Sequence, residues 1–164
     1  MSQLSRRFSC GLLVVAASLA LLASPLLAKG TLDIIEKFQQ ADTELDVATY
    51  TEPDKQPSRI GLLGLKLGTV RNSFAYNLDE WQTLIDLTAK AAKAQSGGGN
   101  WTVIGAMTEK GTTDVSHLVI AAGPGIRFAL NSPAGASLTY VLASGDIPRF
   151  EQALGRVKAF VAAQ

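Results

Sequence analysis

His117 is the only histidine in the sequence, with Asp114 three residues before it and Ser116 beside it. Together with Ser137 these are the residue types from which a serine-histidine-acid hydrolase site would be assembled. Neighbouring residues on a strand project to opposite faces, so Ser116 cannot pair with His117 inside one strand, and Ser137 would have to be carried in by the fold. Carboxylate pairs for glycoside hydrolysis exist at Asp79-Glu80 and between Glu109 and Asp114. Helix-end and turn positions account for all four acids without catalysis. A zinc site needs three or four protein ligands, and Asp114 is the only carboxylate close to His117 in the sequence, so no metal site is expected. No Gly-x-Ser-x-Gly elbow and no His-Glu-x-x-His motif occurs. We therefore assign no catalytic residue and no cofactor. The residues left as candidates for contact with a ligand or partner are His117, Arg127 and Arg71, joined by Arg149 if three guanidinium groups converge on an anion.

Glycine-rich stretches do not change this picture. Ser96-Gly97-Gly98-Gly99 lacks the Lys-Ser/Thr of a phosphate-binding loop and is not followed by a helical pattern, so it reads as a connector. A strand pattern, where a dinucleotide fingerprint needs a helix, follows Gly123-Pro124-Gly125. Asn100-Trp101-Thr102 is a glycosylation sequon, which matters only in a eukaryotic host.

The positions of these residues are set by two similar stretches. Phe74, Tyr76 and Leu78 alternate as one face of a strand, and then Trp81, Leu84, Ile85, Ala91 and Ala92 recur at helical spacing. Leu138, Tyr140 and Leu142 alternate likewise, followed by Ile147, Phe150, Leu154, Val157 and Val161 at helical spacing. Asn77 with Glu80 three residues later forms a capping box, and Asp79 and Glu80 suit the positive end of the helix dipole, as Lys90 and Lys93 suit the other. Asp146 is the expected N-cap of the last helix, with Pro148 in its first turn. Gly155 and Ala159, four apart, are expected to form a small-residue face against a sheet.

Between and before these stretches the chain alternates strands and turns. Thr31 to Ala41 places Leu32, Ile35 and Phe38 on one helical face, so a short amphipathic helix is expected there. Glu44 to Thr51 reads as a strand, and residues 52–58 as an exposed loop with two prolines. Residues 29–58 are the most acidic part of the mature chain, read as a solvated face and loop and not as an acidic docking segment. Arg59 to Leu67 is apolar on both parities, as a central strand would be. Gly61 and Gly64 within it call for the close approach of a bulky ring, for which Trp81 is the candidate. From Asn100 to Ala143 four strands with short turns form an antiparallel meander. The expected fold is α+β: an antiparallel sheet of six to seven strands with two main helices, a strands-then-helix unit repeated twice and preceded by a signal peptide. Its divisions are residues 1–28, a signal peptide; 29–58, a short helix, strand and loop; and 59–164, a single α+β domain. The repeat resembles in layout the single-strand-binding Whirly and Pur folds, although no motif of either family is present.

Residues 1–28 carry the marks of an export signal: Arg6 and Arg7, an apolar run from Gly11 to Leu27, and Ala28 before Lys29. Leu26 stands where a small residue is expected before the cut, and Gly11 to Ala28 also reaches the length of a short span, so retention as an anchor is the alternative. Cys10 is the only cysteine and falls in this segment, leaving a mature domain with neither disulfide nor thiol chemistry. The whole chain has fifteen basic and fourteen acidic residues. Removal of residues 1–28, which hold Arg6 and Arg7 and no acid, leaves thirteen against fourteen. That balance offers no counterion-releasing surface, and nucleic acid is not an expected partner.

Export without a catalytic constellation favours a non-catalytic periplasmic or secreted module. It would bind a protein or small molecule by a strand edge or by a groove between sheet and helices. The alternative is a small secreted hydrolase with a spatially assembled Ser/His or carboxylate site. Membrane contact is expected only if the N-terminal segment is retained, and a homodimer paired through strand edges is compatible with either reading.

Overall fold

A computed structural model describes residues 30–55, 58–108, 117–131 and 137–163. The export-signal segment lies outside them. Eight strands and two principal helices follow in order: β1 Thr31–Gln40, β2 Thr43–Thr51, β3 Arg59–Leu67, β4 Val70–Tyr76, α1 Leu78–Lys93, β5 Thr102–Thr108, β6 His117–Ala122, β7 Gly125–Asn131, β8 Ser137–Ala143 and α2 Ile147–Ala162. The fold is α+β, and its strands form two antiparallel sheets of four, β1-β2-β3-β4 and β5-β6-β7-β8, each in sequence order. This corrects the expectation of one sheet of six to seven strands.

The additional strand is β1, where a helix was expected. The physical reason is a bulge: Ile34 pairs with Ala48 and Glu36 with Val47, leaving Ile35 as an extra residue. The extra residue changes the parity of the strand, so that Ile35 and Phe38 both turn toward the core. Three-residue spacing of inward apolar side chains thus arises on a strand and imitates a helical stripe. β2 pairs with β3 along its whole length, so residues 31–51 are built into the same sheet as the strands that follow.

Helix α1 begins as its sequence dictates. The Asn77 side chain accepts from the Glu80 amide at 3.0 Å, and the Glu80 carboxylate accepts from the Asn77 amide at 3.1 Å. Helix α2 differs from expectation at its start. Asp146 occupies the N-cap position but makes no capping bond, because Ser144–Asp146 already forms a 3-10 turn that leads into the helix. Its carboxylate lies 3.7 Å from Arg149 instead. Gly155 and Ala159 are exposed, and α2 packs through Ile147, Phe150, Ala153, Leu154, Val157 and Val161. Apolar side chains of larger volume win that face, since burying them removes more surface from water.

Each helix leaves its own strands and packs chiefly on the other sheet. α1 lies on β5, β6 and β7, α2 lies on β1, β2 and β3, and the two helices touch. β8 approaches β2 and β3, closing one continuous core between the inner faces of the sheets. Phe150 of α2 makes an edge contact with Phe38 of β1 at 5.6 Å between centroids and lies 5.2 Å from Phe128 of β7. Trp81 joins the halves in the same way, as its indole N–H donates to the Leu154 carbonyl at 2.9 Å.

Candidate functional site

Among the described residues, the catalytic candidates His117 and Ser137 do not come together. His117 is the exposed first residue of β6, paired across the ladder with Thr108 on one side and Asn131 on the other. Asn131 in turn pairs with Ser137, so a whole strand separates the histidine from that serine. With strands roughly 4.8 Å apart, the two backbones are about 10 Å apart, beyond a hydroxyl-imidazole hydrogen bond. Asp114, Ser116 and Glu109 lie outside the described residues. His117 is exposed and has no buried partner among the described residues, so His117→Ala should leave the unfolding free energy within about 0.5 kcal/mol of the parent, as read by denaturant titration.

Asp79 and Glu80 stand at the start of α1, where Glu80 completes the capping box. They line a shallow depression of about 250 Å³ with Thr83, Ala106, Met107 and Thr108. Two carboxylates at a helix N-terminus are accounted for by the dipole they face. Among the described residues no group of three or more histidine, cysteine or acidic side chains is arranged to hold a metal ion.

The three arginines are also dispersed, each on its own aromatic or acidic partner. Arg127, on the outer face of the second sheet, lies over the Trp101 ring at 4.9 Å. Arg149, on α2, lies over Phe38 at 4.4 Å and reaches the Glu36 carboxylate at 3.5 Å. Arg71, on β4, donates to Asp46. Arg149 and Arg156 further donate to the carbonyls of Lys37 and Ile35, at 3.5 and 3.3 Å. Those bonds occupy polar groups of the edge strand β1, so its C-terminal half is not open to another strand.

The outer face of the first sheet is where side chains gather without a covering element. Its register divides the face in two. Toward the β1–β2 and β3–β4 turns, Glu44 and Asp46 lie almost buried beneath three longer cations. Lys37 reaches Glu44 at 2.6 Å and Asp46 at 3.9 Å, Lys66 donates to Glu44, and Arg71 donates to Asp46. Hydrogen bonds from Lys37 and then Lys66 hold the Glu44 carboxyl down at about 2. The same Glu44 bond, with Asp46 nearby, raises the Lys37 ammonium above its ordinary range. The acidity of residues 29–58 by itself suggests a solvated face, and only the alternation of Glu44 and Asp46 with Leu45 and Val47 marks the two acids as sharing one side of a strand.

A carboxylate whose folded pKa lies below its unfolded value stabilises the fold above the unfolded value, and that contribution is lost as pH falls through the folded one. Glu44 therefore predicts a melting temperature that is steady near neutrality and declines from about pH 4.5 toward about 2. Glu44→Gln should make that decline shallower; thermal unfolding followed by circular dichroism across the range reads the difference.

The other half of this face carries no charge. Leu32 pairs with Tyr50 and Tyr50 with Ile60, while the next outward row is Ile34, Ala48, Leu62 and Ala75. Leu32 and Ile34 are 51% and 47% exposed. The helices pack on the inner faces, so no described element covers these side chains. No protein-family model matches the chain, and comparison with curated proteins gives no match.

Proposed function

We propose that the protein is an exported module of the cell envelope that acts by contact, without turning over a substrate. The observation that carries this reading is the uncharged half of the first sheet's outer face, where Leu32 and Ile34 stay half exposed on a four-stranded ladder. Apolar side chains grouped on an uncovered sheet face are costly in water and mark a surface that meets something else. The buried carboxylates beside it pair with Lys37, Lys66 and Arg71, so the charged and uncharged halves of this face are sharply divided. The export pattern of residues 1–28 supports the compartment.

Fractionation of cells expressing the full chain tests the reading. Recovery in the envelope fraction, with protease access only after the outer barrier is opened, is the expected result. Recovery in the cytosol would remove the compartment, and an enzymatic turnover abolished by His117→Ala would remove the non-catalytic part.

A further inference from the structure

We infer that the uncharged half of the first sheet's outer face, formed by Leu32, Ile34, Tyr50, Ile60 and Leu62, rests on a phospholipid bilayer to which the preceding segment tethers the chain. This deepens the proposed envelope function and rests on it. The first support is where the chain enters the fold. The apolar run Gly11–Leu27 ends five residues before Leu32, and Gly30 is the first described residue. Five residues span at most about 17 Å, so a run seated in the bilayer holds Leu32 within that distance of its edge. Leu32 is also the first residue of β1 to face outward on this side, so the tether and the apolar rows share one corner of the sheet.

The second support is chemistry. Both outward rows, Leu32-Tyr50-Ile60 and Ile34-Ala48-Leu62-Ala75, are free of charged side chains, and the charges on this face begin only with the next row at Lys37 and Asp46. Tyr50 supplies an aromatic ring with a polar tip, the kind of side chain that settles at the headgroup level. Among the described residues of the adjoining loop Lys55 is paired with Glu52 at 2.9 Å, and the tether adds the single cation Lys29 after its apolar run, so no cluster of cations selects anionic lipid. The contact is therefore one with zwitterionic lipid, driven by apolar area and insensitive to salt.

The third support is size, which separates a bilayer from a second copy of the chain. A stable protein–protein interface buries roughly 800 Å² and 20–30 residues on each partner. Seven side chains in two short rows, only Leu32 and Ile34 of them as much as about half exposed, fall well short. A tethered contact needs far less, because the anchor supplies the effective concentration that a free partner lacks.

The test uses the full chain with Cys10→Ser, carrying one environment-sensitive fluorophore at Ile34→Cys or, in a separate preparation, at Thr69→Cys in the exposed turn at the other end of the sheet. Each is reconstituted into phosphatidylcholine vesicles with brominated acyl chains. The expected result is emission at position 34 shifted to the blue and quenched several-fold more than at position 69, unchanged between low salt and about 0.5 M salt. A label at Leu32→Cys should behave as at 34, and both labelled chains should melt with the parent. Equal emission at 34 and 69 overturns the proposal. So does emission at 34 that ignores bromolipid but responds to chain concentration, which assigns the face to a second copy. A chain that stays in solution overturns the tether and this proposal while leaving export intact; only recovery in the cytosol removes the export reading itself.

Discussion

Adding a single methyl group at position 61 should destabilise the protein by about 1–3 kcal/mol, and truncating Trp81 to alanine by about 3–5 kcal/mol. Gly61 sits on the inner face of β3, where a β-carbon would run directly into the six-membered ring of Trp81. That ring is fully buried, lies 6.2 Å from Tyr76 between centroids, and carries the indole N–H bonded to the Leu154 carbonyl. One side chain therefore meets β3, β4 and the helix of the other half, so shifting the ring to admit a methyl group disturbs all three contacts. For a domain of this size the Trp81→Ala loss corresponds to a fall in melting temperature on the order of 10–20 °C. The two effects are coupled through space, so Gly61→Ala introduced into a Trp81→Leu background should cost far less than in the parent, a non-additivity of 1 kcal/mol or more. Equal costs in the two backgrounds would show that the ring and the glycine do not define each other's position.

Dividing the chain within its glycine connector should give two pieces that are unfolded alone and folded together. Gly97, Gly98 and Gly99 are exposed, and a β-carbon added at any of them would meet nothing within 4 Å, so a cut there breaks no side-chain packing. The packing lies elsewhere. α1 covers the sheet of the second half and α2 covers the sheet of the first, so each piece alone leaves one apolar sheet face bare and one amphipathic helix without its surface. Circular dichroism of the fragments ending and beginning at Gly98 and Gly99 should show no cooperative unfolding for either and a single transition after mixing. A cooperative transition from one fragment by itself would mean that crossing of the helices is not what holds the halves together.

Much of this arrangement is legible in the residues. The Asn77–Glu80 box, the β3–β4 hairpin, the four-strand meander from Thr102 to Ala143 and the approach of Trp81 to Gly61 all follow from local chemistry, in which each signal acts on its own few neighbours. Three features escape for one shared reason, which is that they depend on what another element does. The bulge at Ile35 gives β1 a helical spacing, and only pairing with β2 decides between the two. The division into two sheets cannot be read from alternation, because a meander pairs with its sequence neighbours whether or not a further strand joins its edge. Arg71, Arg127 and Arg149 look alike in the sequence, yet one serves Asp46, one covers Trp101 and one covers Phe38. The candidate surface is not legible in the sequence, which places Leu32 on one helical face with Ile35 and Phe38, whereas in β1 Leu32 shares the outer face with Ile34. Glu109, Asp114 and Ser116 lie outside the described residues, and of the serine-histidine pairings only that with Ser137 is addressed, by β7 standing between it and His117.

The ends of the described chain meet at one end of the first sheet. Thr31 pairs with Thr51, Thr51 with Arg59, and the Arg59 guanidinium donates to the Ala163 carbonyl at 2.9 Å. A short flexible bridge could join residue 163 to residue 30 while the chain opens instead among the three exposed glycines, where an added β-carbon would meet nothing within 4 Å. Every ladder and both crossed helices would survive that circular permutation, with the second half now read first. The order in which the two halves are written is thus separable from the interlock between them, which their side chains impose.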